Sequence, residues 1–366
     1  MRSSLSRTAL PAALLLSLGL AACGASNEDT GTTDDSSTSS SEALSGELSG
    51  AGASSQKAAM DAWIAGYSAA QPDVTVNYDP AGSGAGREQF LSGAVDFAGS
   101  DAYLDEEELT QAEETCPGGN AIDIPVYVSP IAVIYNLPEV ADLQLSAPTV
   151  AKIFSGAITT WDAAEIAADN PGKTLPATAI NPVHRADDSG TTTNFTDYLS
   201  KAGEGAWTAE PDGEWPLPGG EAAQGTSGVV SAVTAGAGSI GYADLSQAGD
   251  LGVASLKVGD AYVAPTAESA AAVVDASPEA EGRPEGDIAV DIDRTTTAAG
   301  AYPVVLVSYH VACTKYEDAT QAELVKSFLS YVVSEEGQQA AADAAGSAPL
   351  SSTLTEEATA AIESIS

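Results

Sequence analysis

The chain is short of positive charge. Its 366 residues carry 13 Lys and Arg against 52 Asp and Glu, a formal net charge of −39. Binding a phosphate backbone requires a basic surface, so DNA and RNA are excluded as partners. A small anion is not excluded, because surface charge is screened over about 8 Å at physiological salt and local donors at a closed site can outweigh a distant acidic exterior. Histidine is scarcer still, with only His184 and His310. Three cysteines without a Cys-x-x-Cys pair, and only two histidines, supply no zinc set, and neither a metal nor a cofactor is expected. The chain has no Gly-x-Ser-x-Gly turn for a serine nucleophile. Gly172-Lys173-Thr174 ends like a nucleotide-binding loop, but Ala167 stands where the first glycine belongs and Pro171 intervenes. An enzyme is therefore not expected. After Leu20 no stretch is long and apolar enough to span a bilayer.

What is present begins with an export signal. Arg2 and Arg7 precede a short apolar run, Ala9 to Leu20, and residues 1–23 read as a signal peptide. Its end, Leu20-Ala21-Ala22-Cys23, resembles the bacterial lipoprotein signal, in which the cysteine is lipidated and becomes the new N-terminus. The mature chain is then expected on the outer face of the cytoplasmic membrane, held by acyl chains at Cys23. Residues 24–46 are mostly Ser, Thr, Gly and acidic residues with no aromatic, Lys or Arg, and read as a disordered tether. With Cys23 assigned to lipid, Cys116 and Cys313 are expected to form a disulfide in that oxidising location.

The rest repeats one local design. In the stretch from His184 to Phe195, Arg185 stands just ahead of Ser189-Gly190-Thr191-Thr192-Thr193, and Phe195, Tyr198 and Leu199 recur at helical spacing. A helix is expected to start near Ser189 to Thr191, where its unpaired N–H groups, the dipole, hydroxyls and a guanidinium would seat an oxyanion. The ordinary alternative is a capped helix with an Arg185–Asp187 pair beside it. Two further small-residue loops precede helical patterns: Gly50 to Ser55 before Met60, Trp63, Ile64 and Tyr67, and Ala81 to Gly86 before Phe90 and Leu91. A fourth landmark is the strand-like Val95 to Gly99, which ends in Ser100-Asp101, where open α/β sheets keep ligands. Asp101 read from this stretch alone is better explained as the cap of a helix starting near Asp105 to Leu109. Ile122 to Ile134 and Tyr302 to Val311 are apolar, β-branched runs, candidates for two strands crossing between domains. Residues 266–299 are Ala-rich and acidic, helical at first and loop-like later. The tail predicts two helices, Gln321 to Val333 and Glu335 to Ala345.

The joint order of GAGAS at 50–54, VNYDPAGSGAG at 76–86, VDFAGSDA at 95–102, KIFSGAITTWD at 152–162, RADDSGTT at 185–192 and GSIGY at 238–242 resembles the PstS-like phosphate-binding lipoproteins of bacterial phosphate ABC transporters. The resemblance implies an α/β, two-lobed periplasmic-binding-protein-like fold of type II, with two crossing strands as hinge. Lobe I would comprise residues 47–132 plus 303–366 and lobe II residues 133–302. It places Ser54, Ser55, Ser83, Asp101, Arg185, Ser189, Gly190 and Thr191 at a phosphate ion, with Asp187 orienting Arg185. It also implies ABC permease subunits as membrane partners and a monomeric state. Two departures stand out: Ser54-Ser55 replaces a Thr-Phe pair common in relatives, removing an aromatic cover, and His184 replaces a second arginine found in some. His184 is expected to be a partly exposed structural residue. Another tetrahedral oxyanion, sulfate or molybdate, is the alternative ligand.

The residue types suit phosphate. At neutral pH the ion keeps one or two protons, so it needs many donors and at least one acceptor. Helix N-termini, hydroxyls and Arg185 supply donors, and Asp101 can accept from the ligand O–H. Sulfate has no such proton and would face the carboxylate unpaired, a rejection worth about 10⁴–10⁵ at sites of this kind.

Overall fold

A computed structural model of the protein describes residues 44–366; the signal peptide, Cys23 and the tether as far as Ala43 lie outside the described residues. The tether as read from sequence overruns by one residue, since Gly46 already pairs with Val74 across two strands.

Five strand-to-helix or strand-to-loop turns define the architecture. Strand β1 (Gly46–Gly52) leads into helix α1 (Lys57–Ala70), and β2 (Val74–Asp79) returns parallel to β1. Helix α2 (Ser83–Leu91) crosses to β3 (Phe97–Ser100), parallel to β1 on its other side. Alternate burial along β2, Val74 and Val76 inward, is the period-2 signature of a strand with one covered face. Helix α3 (Glu106–Thr115) is started by Asp105, whose side chain accepts from Glu108 N while Glu108 reaches back to Asp105 N. Asp105 is thus the cap, and Asp101 is left for another task.

Strand β4 (Ala121–Tyr135) is buried along its whole length and belongs to two strand groups in turn. Ala121 to Pro130 pair antiparallel with β12 (Val305–Cys313), which itself pairs with β3. From Ile131 to Tyr135 the partner is β8 (Ser239–Asp244). Between them come β5 (Gln144–Leu145), α4 (Ala147–Phe154) and α5 (Ala164–Asp169). Then β6 (Asn181–Arg185) runs parallel to β8, followed by α6 (Gly190–Ala202), β7 (Glu221–Ala223) parallel to β6, and α7 (Gly225–Ala235). The sheet order is β2-β1-β3-β12-β4-β8-β6-β7. Strand β9 (Gly252–Val253) adds to the far end of β4, and β10 (Ser255–Val258) with β11 (Ala261–Val263) and β5 forms a small separate sheet. Helix α8 (Ala267–Val274) opens the long return to β12.

The C-terminal segment holds three helices rather than the two read from sequence: α9 (Ala319–Val333), α10 (Glu335–Ala345) and α11 (Ser352–Glu363). The last begins at Ser351, whose hydroxyl accepts from Leu354 N, and it buries only Ala358, Ala361 and Ile362, a sparse apolar signal. α1 and α10 are tied by Trp63, whose indole donates to Gly337 O at 2.8 Å. Cys116 and Cys313 are joined by a disulfide that ties the end of α3 to the end of β12.

Candidate oxyanion site

Strands β1, β2 and β3 run in one direction, as do β6 and β7, and the turns after their C-terminal ends meet. Glycine makes the approach possible. A Cβ on Gly52 would lie 1.9 Å from Gly99 O, and one on Gly86 2.4 Å from Gly52 Cα, so only hydrogen fits where α2 crosses β1. A Cβ on Gly190 would lie 2.7 Å from Ala102 N, which brings the start of α6 against the end of β3.

The centre of the meeting is Asp101, 2% exposed. Ser55 Oγ donates to its Oδ2 at 2.5 Å, Thr191 Oγ1 donates to the same atom at 2.8 Å, and Ser308 Oγ donates to Oδ1 at 2.8 Å. Its backbone N–H donates to Ser83 Oγ at 3.2 Å. Three sequence-predicted hydroxyl residues thus contact one carboxyl residue, together with Ser308 from β12. Burial raises the pKa of Asp101 above the ordinary carboxylate value, opposed by the Ser55, Ser308 and Thr191 hydroxyls and then by the Arg185 charge. An ionised carboxylate offers about four acceptor positions. Three are filled, two on Oδ2 and one on Oδ1, and the remaining one is on Oδ1.

Arg185 ends β6 and is 3% exposed. Its Nε donates to Asp187 Oδ1 at 2.9 Å and its Nη2 to Asp187 Oδ2, a two-pronged pair that fixes the guanidinium plane. Asp187 Oδ1 also accepts from Gly225 N at 2.9 Å, so the same carboxylate holds the start of α7. The backbone N–H of Arg185 donates to Tyr242 OH, which also bonds Thr192 Oγ1; Tyr242 is the last residue of the GSIGY stretch. Ser189 is the N-cap of α6 and accepts from Thr192 N at 3.3 Å. Ser54 Oγ accepts from Thr226 N at 3.0 Å and lies 3.1 Å from Thr226 Oγ1. Four helix starts, those of α1, α2, α6 and α7, therefore share one buried locus, and each presents N–H groups with no intrahelical partner.

Several of these residues escaped the sequence reading. The start of α7 did, although Gln224-Gly225-Thr226-Ser227-Gly228 ahead of Val229 and Val233 has the same small-residue design as the other loops. Gln247, whose Nε2 donates to Ser54 O at 3.1 Å, and Ser308, inside an apolar strand, carried no local signal. Arg87 also contributes: its Nε donates to Glu108 Oε1 at 2.7 Å and Nη1 to Ser100 Oγ at 3.2 Å, pinning α2 beside Asp188. His184 corrects an expectation. It is buried, not partly exposed, because its ring stacks on Trp215 at 4.8 Å and its two nitrogens contact Arg185 O and Gly219 O.

A fold of parallel strands whose C-terminal turns converge on one buried polar locus defines a solute-binding architecture, and the model for the PBP superfamily domain matches residues 37–336. The chain is 36% identical over 328 residues to the phosphate-binding protein PstS2 of Mycobacterium bovis, covering 87% of each chain. It is 34% identical over 332 residues to the phosphate-binding protein PstS of Xylella fastidiosa, covering 86% of each. With this much of both sequences shared, the chain belongs to the PstS family. Among solved structures, a high affinity periplasmic phosphate-binding protein bound with phosphate superposes with a TM-score of 0.70 at 23% identity, over 86% of this chain and 93% of that one. A phosphate-binding protein from Stenotrophomonas maltophilia gives 0.66 at 21%, over 86% and 94%. These two likenesses establish the fold.

Proposed function

We infer that the protein binds inorganic phosphate outside the cytoplasm and delivers it to an ABC importer, acting as a binding protein and not as a catalyst. The observation that carries this reading is Asp101: a buried carboxyl residue bonded to Ser55, Ser83 and Thr191 at the starts of three helices, within the field of the Arg185 guanidinium, with one acceptor position of its carboxylate left open. Donors alone would suit any oxyanion. Donors with one acceptor suit an oxyanion that still carries a proton, and that argues against sulfate and molybdate.

On this reading Ser54, Ser83 and Ser189 offer the ion hydroxyls, Ser55, Gly190 and Thr191 offer it backbone N–H groups, Arg185 supplies the charge, and Asp187 orients Arg185. Ser55 replaces aromatic cover with a hydroxyl committed to Asp101. The two lobes are residues 47–132 with 303–366, and residues 133–302; the change of partner along β4 between Pro130 and Ile131 supports a hinge there. Lipidation of Cys23 would hold a monomer at the membrane beside its permease subunits, and no helix among the described residues is long and apolar enough to cross a membrane.

The test is calorimetric titration of protein starting at Gly24 with phosphate and with sulfate. Phosphate is expected to bind, and sulfate at least 10³-fold more weakly. Equal affinities, or no phosphate binding, would overturn the assignment.

A further inference from the structure

A cavity of about 260 Å³ is bordered by Asp101 together with Asn194, Asp197, Arg294, Val307 and Tyr309. Asn194, on α6, is 7% exposed, and its Nδ2 donates both to Asp101 O at 2.6 Å and to Gly190 O at 2.8 Å. The first bond reaches from α6 to the end of β3, across the locus where the strand groups meet. Its Oδ1 accepts from Arg294 Nη2. Arg294 comes from the long segment between α8 and β12 and is 4% exposed. Its Nη1 donates to Pro303 O at 3.1 Å and Val305 O at 2.7 Å, and its Nε donates to Asp197 Oδ2 at 3.0 Å.

The chemistry of this chain of contacts fixes its direction. A guanidinium has donors only, so the face of Asn194 turned to Arg294 must be the amide oxygen. The amide N–H groups must then face Asp101 and Gly190, where both partners are carbonyl oxygens. Arg294 therefore decides which way Asn194 points, and it does so while gripping the carbonyls where the chain enters β12 from the return segment. Pro303 and Val305 stand at the start of β12, where Val305 pairs with Pro130, the last residue of β4 before that strand changes partner. A movement that opened the site would part Asn194 from Asp101 O and would turn the backbone that Arg294 holds.

Resting on the phosphate reading above, we propose that Asn194, oriented by Arg294, is a latch that holds the site shut over its ion and sets the rate of release. Neither residue touches the ion. Asn194 is a positioning residue that acts through the backbone of Asp101, and Arg294 acts through Asn194. Loss of the latch raises the dissociation rate and leaves the association rate nearly unchanged, because the bond forms only after the strand groups close.

The experiment is stopped-flow measurement of phosphate association and release on the full exported chain and on Asn194→Ala, Arg294→Lys and the double variant. Arg294→Lys keeps the charge and the fold-supporting contact with Asp197 while losing the fork that meets Asn194. Asn194→Ala is expected to release phosphate about five- to twentyfold faster with association within about twofold of wild type. Arg294→Lys should give a smaller acceleration, and the double variant no more than Asn194→Ala alone, since both act on one bond. Unchanged release in Asn194→Ala with a phosphate-binding wild type overturns the latch alone, and so does a change confined to association. Additive effects in the double variant overturn the relay from Arg294. Failure of the wild type to bind phosphate overturns the underlying assignment instead.

Discussion

Two buried ionisable side chains sit almost side by side on the same sheet and are treated in opposite ways. Asp101 follows β3 and is surrounded by Ser55, Thr191 and Ser308, each donating to it. His310, on β12 opposite Gly99, has no hydrogen-bond partner for either ring nitrogen. It lies against Phe97 at 5.1 Å and Trp63 at 5.5 Å and stacks on Phe328. Burial without partners drives its pKa down to about 3, so it stays a neutral aromatic filler. Depth is common to both; what separates a site from a core is whether charge is provided for. Residues from four distant segments converge to make Asp101 usable as an acceptor, and only aromatic rings converge on His310.

The largest expected consequence concerns His310 and acid. Its folded pKa, about 3, lies below the unfolded value of 6.5, so between those pH values the unfolded state binds more protons. Stability is full above about pH 6.5 and falls as the pH drops toward 3, by something on the order of 4 kcal/mol from this residue. His310→Phe should reduce the difference in urea midpoint between pH 7 and pH 4, whatever it does to absolute stability through packing. A difference equal to that of wild type would mean the ring is not held neutral.

Arg185→Ala comes next. It removes a charged donor and strands Asp187, and is expected to weaken phosphate binding by at least about 2 kcal/mol in calorimetry. Wild-type affinity would show that the guanidinium serves the loop and not the ion. The smallest effect is expected from Ser308→Ala, which takes one of three donors from Asp101. A loss of about 1 kcal/mol in phosphate binding is expected, with fold stability at pH 7 lowered by a similar amount. The analogous cut beside His310 has no donor to remove.

The legibility of these features in the sequence follows the same division. Local design showed itself: Gly-rich and hydroxyl-rich turns ahead of helical periodicity gave the starts of α1, α2 and α6, and the largely apolar run at 122–134 gave β4. Where the signal is a tertiary contact, the chain gave little. Ser308 stands in a wholly buried strand and becomes meaningful only because β12 passes beside the end of β3. Asn194 occupies a helix position three after Thr191, and its two-sided role depends on Arg294, a hundred residues away. The third C-terminal helix was missed for a different reason: its buried face is mostly alanine, which marks a helix weakly against an Ala-rich background. The start of α7 was legible by the rule that found the others.

In the proposed function Asp101 senses a proton on the ligand, and one measurement addresses that role directly: phosphate and sulfate titrated by calorimetry into wild type and Asp101→Asn. The amide would turn an N–H toward an oxygen that the carboxylate repels, so the phosphate-to-sulfate affinity ratio is predicted to fall by about a hundredfold or more. A ratio unchanged by the substitution would contradict the account.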